Sequence, residues 1–384
     1  MTTVQTLAGK EIVLAVTGSI AAVECVRLIH AFRRKGASVQ VVMSGAAAGI
    51  VTPDVLTYAC GRPAITRISG MVEHVTFCGD GGSAHLLVIA PCTANTISKI
   101  ACAIDDTPVT TFATTAIGSG MPVLIVPAMH HSMFRHPGLT ENIEKLEEWG
   151  IRILSPRIEE GKAKIADIDE IVLEAERAVM GKPLAGKRVL ITSGPCRELV
   201  DDVRILTTRS SGTMGKELAL QAFRLGAEVT IVHGDTIPCV TNIHAGSAGE
   251  MRDAVMNEMA IRGGTDIYIS AAAISDFAPE RTSGKIRSGK PAIIHLNPLK
   301  KLIDEVMQEY SPFTVAFKID QKPEGPARAM LKKGIAMVLM NHPDTMGSRD
   351  GEYNLLTSRG SKKLSGSKEE IAKDVWKSIL GIFP

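Results

Sequence analysis

One pattern constrains this chain more than any other, and the chain carries it twice: an apolar, β-branched run that ends in a short polar turn containing glycine. The first copy runs from Ile12 to Val16 into Thr17-Gly18-Ser19-Ile20-Ala21, behind Leu7-Ala8-Gly9-Lys10. The second runs from Val189 to Ile191 into Thr192-Ser193-Gly194-Pro195, behind Leu184-Ala185-Gly186-Lys187. A buried strand that turns at glycine feeds a helix whose first backbone N–H groups can receive an anion. Two such starts predict two nucleotide-type domains, residues 1–183 and 184–384. The expected fold class is α/β, with two doubly wound Rossmann-like domains and mostly parallel sheets.

Composition narrows the function classes. An aromatic content of 4% suits close-packed α/β layers rather than a β-sandwich. A net charge of +2 with scattered basic residues gives no footprint for nucleic acid. No apolar run approaches a membrane span, and Met1 to Lys10 lacks a signal-peptide core, so no membrane partner is expected. The 7 cysteines, odd in number and without C-x-x-C spacing, read as reduced thiols of a cytoplasmic protein.

In the first half, Glu11 to Val16 reads as a buried strand. Helical spacing follows from Ser19, ending in Arg33-Arg34-Lys35 and Gly36, and Val39 to Met43 reads as the next strand. The turn at Gly18 has one glycine, not the three of a dinucleotide fingerprint. The second strand ends in Met43-Ser44, where a ribose-binding acid would otherwise stand, so a mononucleotide is favoured over NAD. On this local pattern alone, an ordinary strand-to-helix turn explains the residues equally well. Leu86 to Ala90 is a strand running into Pro91-Cys92-Thr93-Ala94-Asn95-Thr96, and Val123 to Val126 runs into Pro127-Ala128-Met129-His130-His131-Ser132-Met133. Methionines and imidazoles at a sheet edge suit a flat heteroaromatic ring.

Gly18-Ser19-Ile20-Ala21, Ala90 to Thr96 and Pro127-Ala128-Met129-His130 with Met133 resemble the signatures of the flavin-dependent cysteine decarboxylase family. The resemblance implies FMN held by Gly18, Ser19, Ile20, Ser44, Thr93, Asn95, Thr96 and Met129, with His74 as catalytic base. It implies a substrate site that includes His130 and Met133. The family's Pro-Ala-Met-Asn reads Pro-Ala-Met-His here, and the clamp loop Glu159-Glu160-Gly161-Lys162-Ala163-Lys164-Ile165-Ala166 has no cysteine. Both departures look like an archaeal branch. Lys162 and Lys164 make the loop a cationic lid for a substrate phosphate.

In the second half, a helix is expected near Gly212, Glu228 to His233 as a strand, and Tyr268 to Ser270 as another. Asn297 to Lys300, Phe317-Lys318 and Lys333-Gly334 are expected near strand ends. Gly284 to Lys290 reads as a flexible cationic loop. Ser193-Gly194-Pro195, Arg197-Glu198, Ser210-Ser211-Gly212, Met214-Gly215, Ala271-Ala272-Ala273, Asp276-Phe277 and Lys285-Ile286 resemble the phosphopantothenate–cysteine ligase half of the bifunctional coenzyme A biosynthesis family. The resemblance implies CTP and Mg2+, Lys285 as catalytic cation, and Asp276, Pro298, Leu299, Lys300, Lys301, Phe317 and Lys333 at the nucleotide. It implies Arg204, Thr208, Ser210 and Ser211 at the substrate, with no metal ligand identified. Thr208 stands where the family has asparagine, and Ala329 where it has a lysine. Substrates would be the small molecules 4′-phosphopantothenate, cysteine and CTP, and the assembly a homo-oligomer, with a dodecamer satisfying trimeric and dimeric domains together. The competing readings are a flavin-dependent cysteine decarboxylase, or a non-catalytic regulator on the flavoprotein fold, with only one active half. A nicotinamide-linked second domain would need a fuller glycine fingerprint.

Overall fold

The computed structural model describes residues 4–159, 161–261, 264–289, 291–343, 348 and 350–384. It separates into two compact units, Met1–Met180 and Gly181–Pro384. Glu160 and Lys290, which belong to the two loops singled out above, lie outside the described residues.

The first unit contains β1 (Glu11–Val16), β2 (Ser38–Met43), β3 (Leu86–Cys92), β4 (Val123–Pro127), β5 (Met129–His130), β6 (Arg152–Ile153), β7 (Arg157–Glu159) and β8 (Lys162–Lys164). Five of these strands form a parallel sheet in the order β2-β1-β3-β4-β6. Alternation along β1 divides the core. Ile12, Leu14 and Val16 pack with Leu28, Ile29 and Phe32 of the helix Cys25–Arg34, whereas Val13 and Ala15 share the other face with Phe112 and Ala113 of Pro108–Gly118. Full burial of a Phe or Leu side chain stabilises by roughly 1.5–3 kcal/mol, which is why these strands read as unbroken apolar runs. Helical spacing from Ser19 resolves into a 3-10 turn, Ile20–Glu24, followed by the α-helix, which stops at Lys35 and Gly36 with φ 92. The helix Ile168–Val179 packs against the same core face as Cys25–Arg34. A separate antiparallel sheet, β5-β8-β7, was not legible in the sequence.

The second unit contains β9 (Arg188–Thr192), β10 (Arg197–Leu199), β11 (Ile205–Thr207), β12 (Glu228–His233), β13 (Thr241–His244), β14 (Ile267–Ser270), β15 (Phe277–Pro279), β16 (Leu296–Pro298), β17 (Phe313–Ile319), β18 (Met337–Asn341), β19 (Asp350–Thr357) and β20 (Gly360–Ser367). Its main sheet runs β13-β12-β9-β14-β17-β18-β19-β20, parallel as far as β18 and antiparallel beyond. The expected helix starts one residue past Gly212, as Thr213–Arg224. Its partner is the C-terminal helix Lys368–Leu380, whose buried Trp376 donates its Nε1–H to Leu218 O at 2.8 Å.

One placement differs from expectation. Lys333-Gly334 follows the helix Glu324–Lys332 instead of ending a strand, because basic residues before a glycine with φ 95 form a helix stop. Asn297 and Pro298 end a strand as expected, β16, which belongs to a two-stranded ribbon, β15-β16, outside the main sheet. Strand order reverses between β1 and β3 in the first unit, and between β9 and β14 in the second. Such reversals open crevices at the carboxyl ends of the strands, where ligands of this architecture bind. Among the described residues no helix is long and apolar enough to cross a membrane.

Candidate active sites

At the first crevice, Thr17 locks two loops together. Its buried hydroxyl donates to Pro91 O at 2.7 Å and accepts from Thr93 N at 3.0 Å. Thr93 in turn caps the helix Ala94–Ala101 by accepting from Thr96 N at 3.3 Å, and Ser44 caps Gly45–Ala48 by accepting from Ala47 N at 3.2 Å. Gly18 must be glycine for steric reasons: a Cβ there would lie 2.5 Å from Ala46 Cβ. Ser19, Ser44, Thr93, Asn95 and Thr96 therefore meet around one sheet edge, formed by the ends of β1, β2 and β3.

Beside this edge lies a cavity of about 750 Å³ lined by Ser19, Ile20, Arg27, Met129, His130, Arg157, Lys162 and Lys164, among others. The unforeseen β5-β8 pairing sets His130 opposite Lys162 and so joins the Met-His segment to the clamp loop. Lys164 is already engaged, donating to Glu159 Oε2 at 2.9 Å, and that bond holds the Glu159 carboxyl below its ordinary value. The Lys162 ammonium has no hydrogen bond or ion pair among the described residues, so the two lysines are not equivalent. His130 Nδ1 lies 3.0 Å from Ser132 Oγ, and Met133 is exposed and outside this cavity. No cysteine lines it either. Cys25 donates its S–H to Ala90 O at 3.3 Å, and burial pushes its thiol up to about 12.

His74 stands on the short helix Glu73–Cys78, after Val72 in the left-handed region at φ 47. The helix start is fixed by Glu73, whose carboxylate accepts from Ser69 N at 2.9 Å. The ring of His74 packs edge-on to Phe112, with centroids 6.4 Å apart, and its Nδ1 is buried without a hydrogen-bond partner among the described residues. A packed imidazole with one unpartnered nitrogen is poised for a ligand. It does not line the cavity that holds Met129 and Lys162.

In the second unit, a cavity of about 490 Å³ brings together Ser210, Ser211, Asp276, Lys300, Lys301, Phe317 and Lys333. The sequence reading named none of its further lining residues Asn341, Tyr353 and Lys368. Lys301 Nζ lies 3.9 Å from Asp276 Oδ1, and Lys333 Nζ lies 2.9 Å from Asp304 Oδ1. Pro298 and Leu299 fall outside the lining, although Leu299 N donates to Asp276 O at 2.8 Å. An adjoining cavity of about 350 Å³ shares Ser211, Gly212 and Thr213, and adds Ser193, Gly194, Arg197, Lys216 and His233. Ser193 donates its hydroxyl to Gly212 O at 2.9 Å, which ties the β9 turn to the helix start.

Lys285 and Arg204 lie outside both cavities. Lys285 is exposed on a loop held by residues that the sequence reading passed over. Buried Asp201 accepts from Val203 N at 2.8 Å, Arg204 N at 2.7 Å and Ile286 N at 3.0 Å, and pairs with the Arg204 guanidinium. Burial would raise the Asp201 carboxyl, but these donors outweigh it and hold the group well below the usual carboxylate range. Asp202 accepts from Gly284 N at 3.0 Å and Arg281 Nη2 at 2.9 Å, while Arg204 Nη1 reaches Ile286 O at 3.2 Å. Arg204 therefore braces the Lys285 loop. Thr208 Oγ1 is buried with no partner among the described residues. The available signal was Asp201-Asp202 itself, two adjacent acids in a stretch otherwise rich in basic and hydroxyl residues.

Residues 2–180 match the Flavoprotein family, and residues 184–382 match the DNA/pantothenate metabolism flavoprotein C-terminal domain. The coenzyme A biosynthesis bifunctional protein CoaBC of Thermococcus kodakarensis is 42% identical over 387 residues, covering 97% of this chain and 95% of that one. This chain belongs to the bifunctional coenzyme A biosynthesis family. The family member of Methanocaldococcus jannaschii is 33% identical, with 97% of this chain and 94% of its own length aligned. A crystal structure of the C-terminal domain of a family member shares 28% identity at a TM-score of 0.44, covering 53% of this chain and 98% of that one. The family resemblance read from the motifs thus holds over both halves, and the first unit carries a flavoprotein domain.

Proposed function

We propose that this protein carries out two consecutive steps of coenzyme A biosynthesis. The second unit ligates 4′-phosphopantothenate to cysteine through an acyl-cytidylate made from CTP. The first then converts phosphopantothenoylcysteine to 4′-phosphopantetheine by FMN-dependent oxidative decarboxylation. The observation that carries this reading is the furnishing of two switch-point crevices in one chain, each with the polar residues of its own family. Product of one site is substrate of the other.

The first crevice fits FMN by the polar groups that Thr17, Ser44 and Thr93 gather at the ends of β1, β2 and β3, and the cavity beside it carries Ser19, Ile20 and Met129. Gly18, Ser19, Ile20, Ser44, Thr93, Asn95, Thr96 and Met129 would hold it. Bound FMN would take two electrons from the cysteinyl side chain, giving the carboxylate the electron sink it otherwise lacks, and would return them to the product once CO2 has left, so that the net reaction is redox-neutral. His74 takes the proton from the substrate thiol, its buried Nδ1 being without a partner among the described residues. Lys162 and Lys164 receive the substrate phosphate, and His130 and Met133 border the substrate. The separation of His74 from the clamp cavity supports a site completed by a second copy. Ile20, Val23, Tyr58, Met71 and Val75, all exposed in the first unit, are the apolar residues such a contact would cover. A homo-oligomer, up to a dodecamer, follows from this reading.

In the second unit, Asp276, Lys300, Lys301, Phe317 and Lys333 bind the nucleotide, with Pro298 and Leu299 flanking them. Ser210, Ser211, Arg204 and Thr208 serve the acyl substrate. Lys285 neutralises charge on the phosphoryl group as the carboxylate attacks it. Among the described residues no group of three or more His, Cys, Asp or Glu gathers to hold a metal, so Mg2+ would enter on the nucleotide phosphates. The test is the absorption spectrum of the purified protein and the flavin released by acid. FMN supports the reading; FAD, or a colourless protein that takes up no FMN, refutes its first half.

A further inference from the structure

Lys368 is the first residue of the C-terminal helix, and the helix is firmly set. Ser367 Oγ accepts from Glu370 N at 3.3 Å while Glu370 Oε2 accepts from Ser367 N at 2.8 Å. Trp376 anchors the next turns against Leu218. A lysine at such a position ordinarily extends into water. Lys368 is instead only 6% exposed, and it lines the 490 Å³ cavity together with Asn341, Tyr353 and Phe317.

Its ammonium has no hydrogen bond or ion pair among the described residues. Three carboxylates on its own helix and on the hairpin before it are engaged elsewhere: Glu369 lies 3.8 Å from Arg224, Glu370 closes the cap, and Glu352 lies 2.7 Å from Lys363. The remaining lysines of the cavity differ in kind. Lys300, Lys301 and Lys333 are exposed and Lys318 is half-buried, and Lys301, Lys333 and Lys318 already face Asp276, Asp304 and Asp320. Burial lowers the pKa of Lys368, the direction expected for an ammonium withdrawn from water without a counter-ion. A core gains nothing from such a group unless something outside the chain supplies the anion.

We propose that Lys368 is a binding residue of the ligation site, its ammonium donating to a phosphate oxygen of the nucleoside triphosphate in this cavity. The inference rests on reading the cavity as the nucleotide site. A triphosphate is the occupant favoured by the charge present, since Lys300, Lys301 and Lys333 converge on the same space and the helix Thr213–Arg224 starts at its edge. The acyl substrate also carries a phosphate, and the experiment separates the two.

Full-length wild type, Lys368→Met and Lys368→Arg are titrated by calorimetry with CTP plus Mg2+ and, separately, with 4′-phosphopantothenate. Thermal melts of the ligand-free proteins run in parallel. Lys368→Met is expected to weaken CTP binding tenfold or more, about 1.4 kcal/mol. It should leave 4′-phosphopantothenate binding unchanged and the ligand-free Tm equal or higher, because a buried unpaired charge has been removed. Lys368→Arg, which keeps the charge, should retain most of the CTP affinity. Unchanged CTP affinity in Lys368→Met, or a loss confined to 4′-phosphopantothenate, overturns the proposal. So does a lowered Tm with weak CTP binding that arginine does not restore, which marks a structural lysine. Wild type that binds no CTP would instead overturn the reading of the cavity, and the inference with it.

Discussion

Gly18→Ala probes how closely the first crevice is fitted. The added Cβ would stand 2.5 Å from Ala46 Cβ, with Ala46 C and Cα at 3.3 and 3.4 Å. Carbon atoms rest at about 3.5–4.0 Å, so the turn or the helix Gly45–Ala48 must move by about 1 Å. Ala46 has no flexible end that could swing away. Overpacking of this kind costs about 1–3 kcal/mol. For a unit of this size, each kcal/mol lowers Tm by roughly 2–4 °C, giving a fall of about 2–12 °C. Movement of the turn also displaces Ser19 and strains the hydrogen bonds of Thr17 to Pro91 and Thr93, so flavin occupancy should fall as well. Flavin fluorescence on heating reads the melting of the first unit, and acid-released FMN per chain reads occupancy. Gly45→Ala is the control: it has no atom within 4 Å of its added Cβ and no positive φ, and it should stay within about 0.5 kcal/mol of wild type. Wild-type melting and full FMN occupancy in Gly18→Ala would refute the close-fit argument.

His74→Asn should retain flavin yet lower decarboxylation by about 10²-fold or more while ligation persists; a loss under tenfold means His74 is not the base. Lys162→Ala should raise the decarboxylation KM more than Lys164→Ala, because only Lys164 already spends its charge on Glu159; equal effects would contradict this asymmetry. Asp201→Asn should lower ligation kcat nearly as far as Lys285→Gln, and the double variant should add little, since both act through one loop; full additivity would separate them. The Asp201 carboxyl is held below its ordinary value of about 4, so its anchoring is fully present above that pH and is lost only as pH falls further. Ligation retained by Asp201→Asn at wild-type rate would remove the anchor from the mechanism.

What could be read from the sequence was what lies close along the chain. Buried parallel strands such as Glu228–His233 and the turns behind Val16 and Thr192 carry their signal within a few residues, and the crevices follow from them. The β5-β8-β7 sheet is built of strands two or three residues long, too short for any periodicity, yet it sets His130 beside Lys162. Asp201 and Asp202 act across more than eighty positions on Gly284 and Ile286, a separation no local pattern spans. Lys333 was misplaced although its signal was local: Lys332-Lys333-Gly334 repeats the stop seen at Arg34-Lys35-Gly36. Lys368 hides in Lys368-Glu369-Glu370, which reads as a solvated helix start until the fold buries its first residue.

The most direct test supplies the purified protein with 4′-phosphopantothenate, cysteine, CTP and Mg2+, and follows the products by mass spectrometry. The account predicts 4′-phosphopantetheine and CO2 from the first unit, with CMP and pyrophosphate from the second in equal amounts. CDP with orthophosphate would contradict the acyl-cytidylate. Phosphopantothenoylcysteine that accumulates without CO2 release, from protein loaded with FMN, would contradict the pairing of two consecutive activities in one chain.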